Sequence, residues 1–290
     1  MKKDFLSIVD LDKNEIIELL NVASTQKRQV SSKILKNRHI GLYFEKPSLR
    51  TKASFETGIG ELGGSFSYFS ATESGKMGER ESVEDLARTM SGYFSAIVAR
   101  VFSHANLKKF ADTADVPVVN ALSDQEHPCQ ILADLLTIRE KIGRTEDFKL
   151  AFLGDGNNVA LSLALAAEIL GFDFVLAGPK EHHLDYPQIQ QTENLDEALA
   201  NADVVYTDTW NSMGEEKKPD ESLLMPFQLN AETLKKATPE AIVMHCLPAH
   251  RGAEITSDVI DGEQSIVFEQ ASNRLPAQKA LLIKIFSQAA

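Results

Sequence analysis

"HIGLYFEKPSLRTKASFETGIGELGG", residues 39–64, changes its period half-way. Residues 39–45 are rich in β-formers, while Phe55, Ile59 and Leu62 fall on one face of a helix. A strand that turns directly into a helix is the first half of a βαβ unit. At the junction sits Ser48-Leu49-Arg50-Thr51, two hydroxyls around a guanidinium. A helix amino end presents unpaired N–H groups and the positive end of a dipole, and in parallel sheets this end lies where ligands bind. The cluster therefore suits a phosphate. The plainer alternative is a Ser N-cap beside a surface arginine. The P-loop pattern is absent.

The same alternation extends along the chain. "SFSYFS" (65–70) alternates strictly, which predicts a strand with one covered face. "SAIVARV" (95–101), "VPVVNAL" (116–122), "FKLAFLGD" (148–155), "FDFVLAG" (172–178), "ADVVYTD" (202–208) and "AIVMHCL" (241–247) are further strands. Helical patterns fall between most of them, and "SVEDLARTMSGYF" (82–94) opens with Ser82 and Asp85 at capping spacing. The pattern predicts an α/β chain with two doubly wound parallel-sheet domains, about four strands in 39–122 and five or so in 148–270. "HPCQILADLLTIREKIG" (127–143) reads as a helix that bridges the halves. "NRLPAQKALLIKIFSQAA" (273–290) reads as a terminal helix with Pro276 near its start. The polar run 211–224 reads as a mobile loop.

The bulk numbers narrow the function classes. A net charge of −12 over 290 residues argues against nucleic acid, which needs a basic face. No run approaches a membrane span, and the first residues lack the apolar core of a leader. Two distant cysteines, Cys129 and Cys246, predict no disulfide and a cytoplasmic location.

Four more stretches carry chemistry-bearing residues. In "EHPCQ" (126–130), His127 and Gln130 are three apart at a helix start, so both reach one side. Arg100 ends a strand, where it is either a ligand or a surface ion pair. In "MHCLPAHRG" (244–252), Cys246 closes a strand and is either an accessible thiol or an inert packed one. In "TDTWNSMG" (207–214), Asp208 can hold an ammonium or serve turn chemistry. "GDGNN" (154–158) lacks the third glycine of a dinucleotide fingerprint, because Val159 stands there. Asn157 and Asn158 still begin a helix and can donate to a carboxylate. His182 and His183 read as a solvated pair rather than metal ligands.

In this order and spacing the motifs resemble the aspartate/ornithine carbamoyltransferase family, from about Phe5 to the C-terminus. "FEKPSLRTKASFE" and "HPCQILADLLTI" are similar to the motifs shared by the whole family. "GDGNNVALSL", "DVVYTDTWNSMGEE" and "HCLPAHRG" point to its ornithine branch.

The resemblance implies two α/β domains with the site in the cleft, and a trimer or a multiple of trimers. It implies a carbamoyl-phosphate-binding domain over 1–133, an ornithine-binding domain over 134–272, and a helix 273–290 that packs back on the first. Ser48, Leu49, Arg50 and Thr51 would grip the phosphate of carbamoyl phosphate. Arg100, His127 and Gln130 would orient and polarise its carbamoyl group, and Arg274 would return to the same place. Asn158, Asp208, Ser212 and Met213 would hold the α-carboxylate and α-amino group of L-ornithine. Cys246, with the Leu247 backbone, would lie near the reacting amine. The implied reaction gives L-citrulline and phosphate, within arginine metabolism, with no cofactor and no metal. Transfer to N-acyl-ornithine, aspartate or putrescine stays open, as does a silent relative that only binds. Leu49 and Lys52 depart from the commonest residues of the family motif. Segment 178–195, "GPKEHHLDYPQIQQTENL", is short for the family and has lost most of one helix.

Overall fold

The structure is a computed structural model that describes residues 4–27, 33–210 and 220–287. The chain divides into two compact units, Met1–Leu136 with Asn273–Ala290, and Thr137–Ser272.

The first unit opens with α1 (Lys13–Gln26), where Asp12 and Glu15 cap each other's backbone N–H. Then come β1 (His39–Phe44), α2 (Leu49–Glu61), β2 (Ser65–Ser70), the short α3 (Ala71–Ser74) and α4 (Val83–Ser91). β3 (Ala96–Arg100), α5 (His104–Thr113), β4 (Val118–Leu122) and the start of α6 (Pro128–Ile142) follow. The strands pair in parallel in the order β2-β1-β3-β4. The inner strands are apolar runs buried on both faces, Ile40, Leu42 and Phe44 on β1 and Ala96–Ala99 on β3. β2 is an edge strand, and none of its six residues is buried. Its strict alternation does not mark a covered face, because Phe66, Tyr68 and Phe69 have no layer to pack under completely.

The second unit holds β5 (Lys149–Leu153), α7 (Asn158–Leu170), β6 (Asp173–Ala177), β7 (Gln190–Thr192), α8 (Leu195–Leu199) and β8 (Val204–Thr207). α9 (Glu221–Leu224), α10 (Ala231–Leu234), β9 (Ile242–His245), α11 (Ser257–Ile260) and α12 (Val267–Ser287) complete it, and α12 continues into the first unit. This sheet is also parallel, in the order β7-β6-β5-β8-β9. Its core joins Ala151, Leu153, Val175, Val205 and Val243 to Leu199, Ile255 and Val267.

Each sheet reverses its direction of growth once, between β1 and β3 in one unit and between β5 and β8 in the other. Loops leave such a pair in opposite directions, and a crevice opens at the carboxyl ends of the strands. Arg100 and the α2 start lie at the first switch point. Asn157, Asn158 and Asp208 lie at the second.

Two further expectations change, and one about the short segment holds. α12 begins at Val267, so Pro276 stands inside the helix. A proline there donates no N–H to the carbonyl of Ser272, the residue at which the second unit ends. Between β6 and β7 only a 3-10 turn, Lys180–His182, is present, as the short segment implied. At the end of 211–224, Glu221–Leu224 form a helical turn capped by Asp220, while 211–219 lie outside the described residues.

Candidate functional site

In the first unit the chain enters α2 through Ser48, whose Oγ accepts from the Thr51 N–H at 3.3 Å. The first turn of α2 carries no acidic residue, so the positive end of its dipole is uncompensated there. Arg50 is half-buried in that turn, and Leu49 is 79% exposed.

Buried groups converge on the same turn from α6 and α12. Arg274 donates from Nη1 to Gln130 Oε1 at 2.5 Å and from Nη2 to Thr51 Oγ1 at 3.3 Å. Gln130 Nε2 donates to Asp134 Oδ1 at 2.8 Å. His127, at the amino end of α6, is 5% exposed. Burial, reinforced by the positive charges of Arg274 and Arg100, holds its pKa well below the usual imidazole value. His127 is thus neutral at neutral pH, with one ring N–H able to donate. Ser48, Arg50, Thr51, Arg100, His127, Gln130 and Arg274 all belong to this unit, and contact or charge links all but Arg50.

In the second unit the acceptor is Asp208, just past β8. Its Oδ2 accepts from Asn157 Nδ2 at 2.8 Å. Its Oδ1 accepts from the Thr209 N–H at 2.7 Å and from the Cys246 thiol at 2.9 Å. Asn157 does this while its Oδ1 caps α7, accepting from Val159 and Ala160 N–H. One side chain thus starts a helix and orients a carboxylate. Asn158 is the first residue of α7, beside this arrangement. Leu247 holds a left-handed backbone at φ 58, and its N–H donates to His245 Nδ1 at 2.9 Å. Such backbone strain in a non-glycine residue is concentrated at functional sites. Ser212 and Met213 lie outside the described residues.

The glycines of "GDGNN" answer to packing. Gly154 has φ +107, and a Cβ on it would stand 2.6 Å from Trp210 Nε1. Gly156 faces the His182 carbonyl, which a Cβ would meet at 2.5 Å. His182 and His183 are not a solvated pair. His182 Nδ1 bonds Asp155 Oδ1 at 2.7 Å, and His183 Nε2 bonds the Gly178 carbonyl at 3.1 Å. Burial, partly opposed by His182 and reinforced by the charge of Asp208, raises the pKa of Asp155.

Among the described residues, Asp208, His245 and Cys246 bring one potential ligand atom each within 4.8 Å of one another. The donor set does not suit a metal ion. His245 Nδ1 accepts from Leu247, so its Nε2 carries the hydrogen and faces Glu254 Oε1 at 3.1 Å. That imidazole has no lone pair to give.

Residues 3–140 match the aspartate/ornithine carbamoyltransferase carbamoyl-P binding domain, and residues 146–285 match the Asp/Orn binding domain of the same family. The ornithine carbamoyltransferase of Methanosarcina acetivorans is 45% identical over 301 residues, covering 98% of this chain and 99% of its own.

The chain belongs to the aspartate/ornithine carbamoyltransferase family.

Solved structures agree with this carbamoyltransferase membership. The ornithine carbamoyltransferase of Pyrococcus furiosus superposes with a TM-score of 0.92 at 40% identity, covering 97% of this chain and 96% of its own. The anabolic ornithine carbamoyltransferase of Campylobacter jejuni gives 0.93 at 36% identity, covering 99% and 100%. Of the residues that orient functional groups in this carbamoyltransferase, Asp134 is not singled out by the sequence, whereas Asn157 is expected to donate to a carboxylate without Asp208 being named as that carboxylate. For Asn157 a signal existed, since Asn at a helix start is a capping residue with a free amide. Asp134 sits among apolar helix residues, and its only local sign is its spacing of four from Gln130. No helix among the described residues is long and apolar enough to cross a membrane.

Proposed function

We propose that this chain transfers the carbamoyl group of carbamoyl phosphate to the δ-amine of L-ornithine, forming L-citrulline and phosphate. In this reading residues 1–133, with residues 273–290, bind carbamoyl phosphate, and residues 134–272 bind ornithine. The observation that carries the choice of acceptor is Asp208, held by Asn157, Thr209 N–H and the Cys246 thiol. A carboxylate fixed by three donors is a ready partner for an α-ammonium.

The chemistry follows from the groups. The phosphate is held by Ser48, Thr51, the α2 amino end and the Arg50 fork, with the Leu49 backbone among the donors. Arg274 adds a second guanidinium at Thr51. Gln130, Arg100 and neutral His127 orient the carbamoyl oxygen and donate to it as negative charge develops there. Each such donor supplies about 3 kcal/mol of transition-state stabilisation. Asn158 reads the α-carboxylate and Asp208 the α-ammonium, with Ser212 and Met213 contributing to the same substrate. The δ-amine must shed its proton, and removal from water lowers its pKa. Its lone pair forms the new C–N bond, and the C–O bond to phosphate breaks with its electron pair on phosphate. The amine's remaining surplus proton leaves to phosphate or water. Cys246 and the Leu247 backbone orient the amine, and the thiol carries no acyl group.

In this reading the enzyme is cytoplasmic, acts in arginine metabolism, and works as a homotrimer or a multiple of trimers. Its two free cysteines, Cys129 and Cys246, suit a reducing compartment.

The test is a citrulline assay with carbamoyl phosphate and ornithine, run beside N-acetylornithine, aspartate and putrescine. The expected result is turnover with ornithine far above the others. A preference for any other amine replaces the acceptor, and no turnover with any amine leaves a binding protein.

A further inference from the structure

Gln130 is an amide whose two ends have nearly the same shape and opposite hydrogen-bonding character. It faces Arg274 at 2.5 Å, and Arg274 has donors only. The oxygen must therefore point at the guanidinium. On the other side Gln130 Nε2 donates to Asp134 Oδ1 at 2.8 Å, one helical turn further along α6. Turning the amide over would set NH₂ against guanidinium and oxygen against carboxylate, two repulsive contacts without water to relieve them. Gln130, Asp134, Arg274 and Thr51 are 1%, 0%, 2% and 1% exposed, so no solvent screens the choice.

We propose that Asp134 is a positioning residue of the transfer: its buried carboxylate fixes which end of the Gln130 amide faces Arg274, and so holds Arg274 at Thr51. It touches neither substrate. It acts through Gln130, which keeps the Arg274 guanidinium at the first turn of α2, and it rests on the carbamoyl-phosphate reading of that turn. The sequence supports a dedicated partnership, because positions 130 and 134 are four apart on one helix face. A carboxylate accepts from the amide and cannot donate to it. Asparagine in its place presents either end, and the lock is lost.

The experiment compares the full-length parent with Asp134→Asn, Asp134→Leu, Arg274→Ala and the double variant Asp134→Asn/Arg274→Ala. KM for carbamoyl phosphate and for ornithine, kcat and Tm are measured for each. Asp134→Asn is expected to raise KM for carbamoyl phosphate about fivefold, since a charged acceptor becomes a neutral one. Asp134→Leu is expected to raise it further, roughly 10- to 100-fold. KM for ornithine stays within about twofold of the parent in both. In the Arg274→Ala background Asp134→Asn adds less than about twofold, because the group it positions is gone. A purely structural acid would lower Tm and leave the ratio of the two KM values alone. A rise in KM for carbamoyl phosphate below about twofold for Asp134→Asn, or losses that multiply in the double variant, overturns the proposal. Should Asp134→Leu not fold, the asparagine cycle decides alone. A parent that makes no carbamoylated product overturns the functional reading instead, so the two failures are distinct.

Discussion

The Cys246 thiol donates to Asp208 Oδ1 across 2.9 Å, from the end of β9 to the end of its neighbour β8. The thiol is thus a fixed donor that completes a carboxylate already held by Asn157 and the Thr209 N–H. A nucleophilic cysteine must give up its proton, and here the thiol keeps it as a donor to a carboxylate whose task is elsewhere.

It follows that replacing Cys246 weakens ornithine binding without removing the chemistry. Cys246→Ala is expected to raise KM for ornithine roughly 10- to 100-fold, the worth of a hydrogen bond to a charged group. KM for carbamoyl phosphate should stay near the parent value. Cys246→Ser, which keeps a donor, should fall between. Trapping of a carbamoylated cysteine by mass spectrometry would contradict this assignment.

Arg50 stands in the first turn of α2, half-buried between Ser48 and Thr51. Arg50→Ala removes the planar fork assigned to the leaving phosphate. Loss of about 3–4 kcal/mol of transition-state stabilisation corresponds to roughly 10²- to 10³-fold in kcat/KM. The residue is only half-buried, so Tm should move by only a few degrees. Near-parental turnover would remove Arg50 from the phosphate site.

The strands were legible because buried parallel strands are unbroken apolar runs, and β1, β3, β4, β5, β6, β8 and β9 all fall inside the predicted stretches. β7 escaped notice because it is Gln190-Gln191-Thr192, three polar residues at an edge. The start of α12 was missed because Pro276 reads as a helix beginning, whereas the helix already runs from Val267. In the site, the residues that carry motifs were legible and their partners were not. Asp208 announces itself in "TDTW", but nothing in that stretch says that Asn157, at 51 positions' remove, donates to it. His182 looked solvated because its neighbours are polar, yet Asp155 reaches it from another strand's end. Long-range pairs leave no local periodicity.

His127 sets a pH dependence whose direction is fixed. Its folded pKa lies well below the usual value, through burial and then through Arg274 and Arg100. The unfolded chain takes up a proton near pH 6.5 that the folded chain refuses. Stability is therefore complete above that pH and falls as pH drops below it, by up to about 1.4 kcal/mol per unit for one such group. His104, also depressed by burial, acts in the same sense. Urea unfolding at pH 5 to 7 should show the slope, and His127→Gln should reduce it by about one proton. An unchanged slope would mean that His127 titrates normally in the folded enzyme. In turnover no acid limb near pH 6.5 should trace to His127.

Gly154 has no freedom to grow. Its φ is +107, and a Cβ would stand 2.6 Å from the indole nitrogen of Trp210, which is 2% exposed. Gly154→Ala should destabilise the fold by about 2–4 kcal/mol, combining backbone strain with displacement of a buried aromatic. Trp210 is the only tryptophan of the chain, so its emission reports the change directly. A red shift and an earlier urea midpoint are expected. An unchanged spectrum would show that the indole does not lie against this glycine.

Lys279 and Glu61 form an ion pair at 2.7 Å that ties α12 to α2, with side chains 2% and 31% exposed. The Lys279 stem lies over Gly58, where a Cβ would meet its Cγ at 3.2 Å. The two ends of the pair are therefore unequal. Removing Lys279 leaves a carboxylate that water reaches, and removing Glu61 leaves an ammonium that water does not. Loss of a partner from a buried pair costs about 3–5 kcal/mol, and solvent access reduces that figure. Glu61→Leu should cost about 2–4 kcal/mol and Lys279→Met about 1–2 kcal/mol. The double variant should recover part of the Glu61→Leu loss, because no uncompensated charge remains. Arg274 stands five positions before Lys279 on α12, so a shift of α12 along α2 would also carry it away from Thr51. A rise in KM for carbamoyl phosphate should therefore accompany the Glu61→Leu loss. The order of the two single variants, read from urea midpoints, is the decisive quantity. If Lys279→Met is the more damaging, the ammonium is not the buried partner.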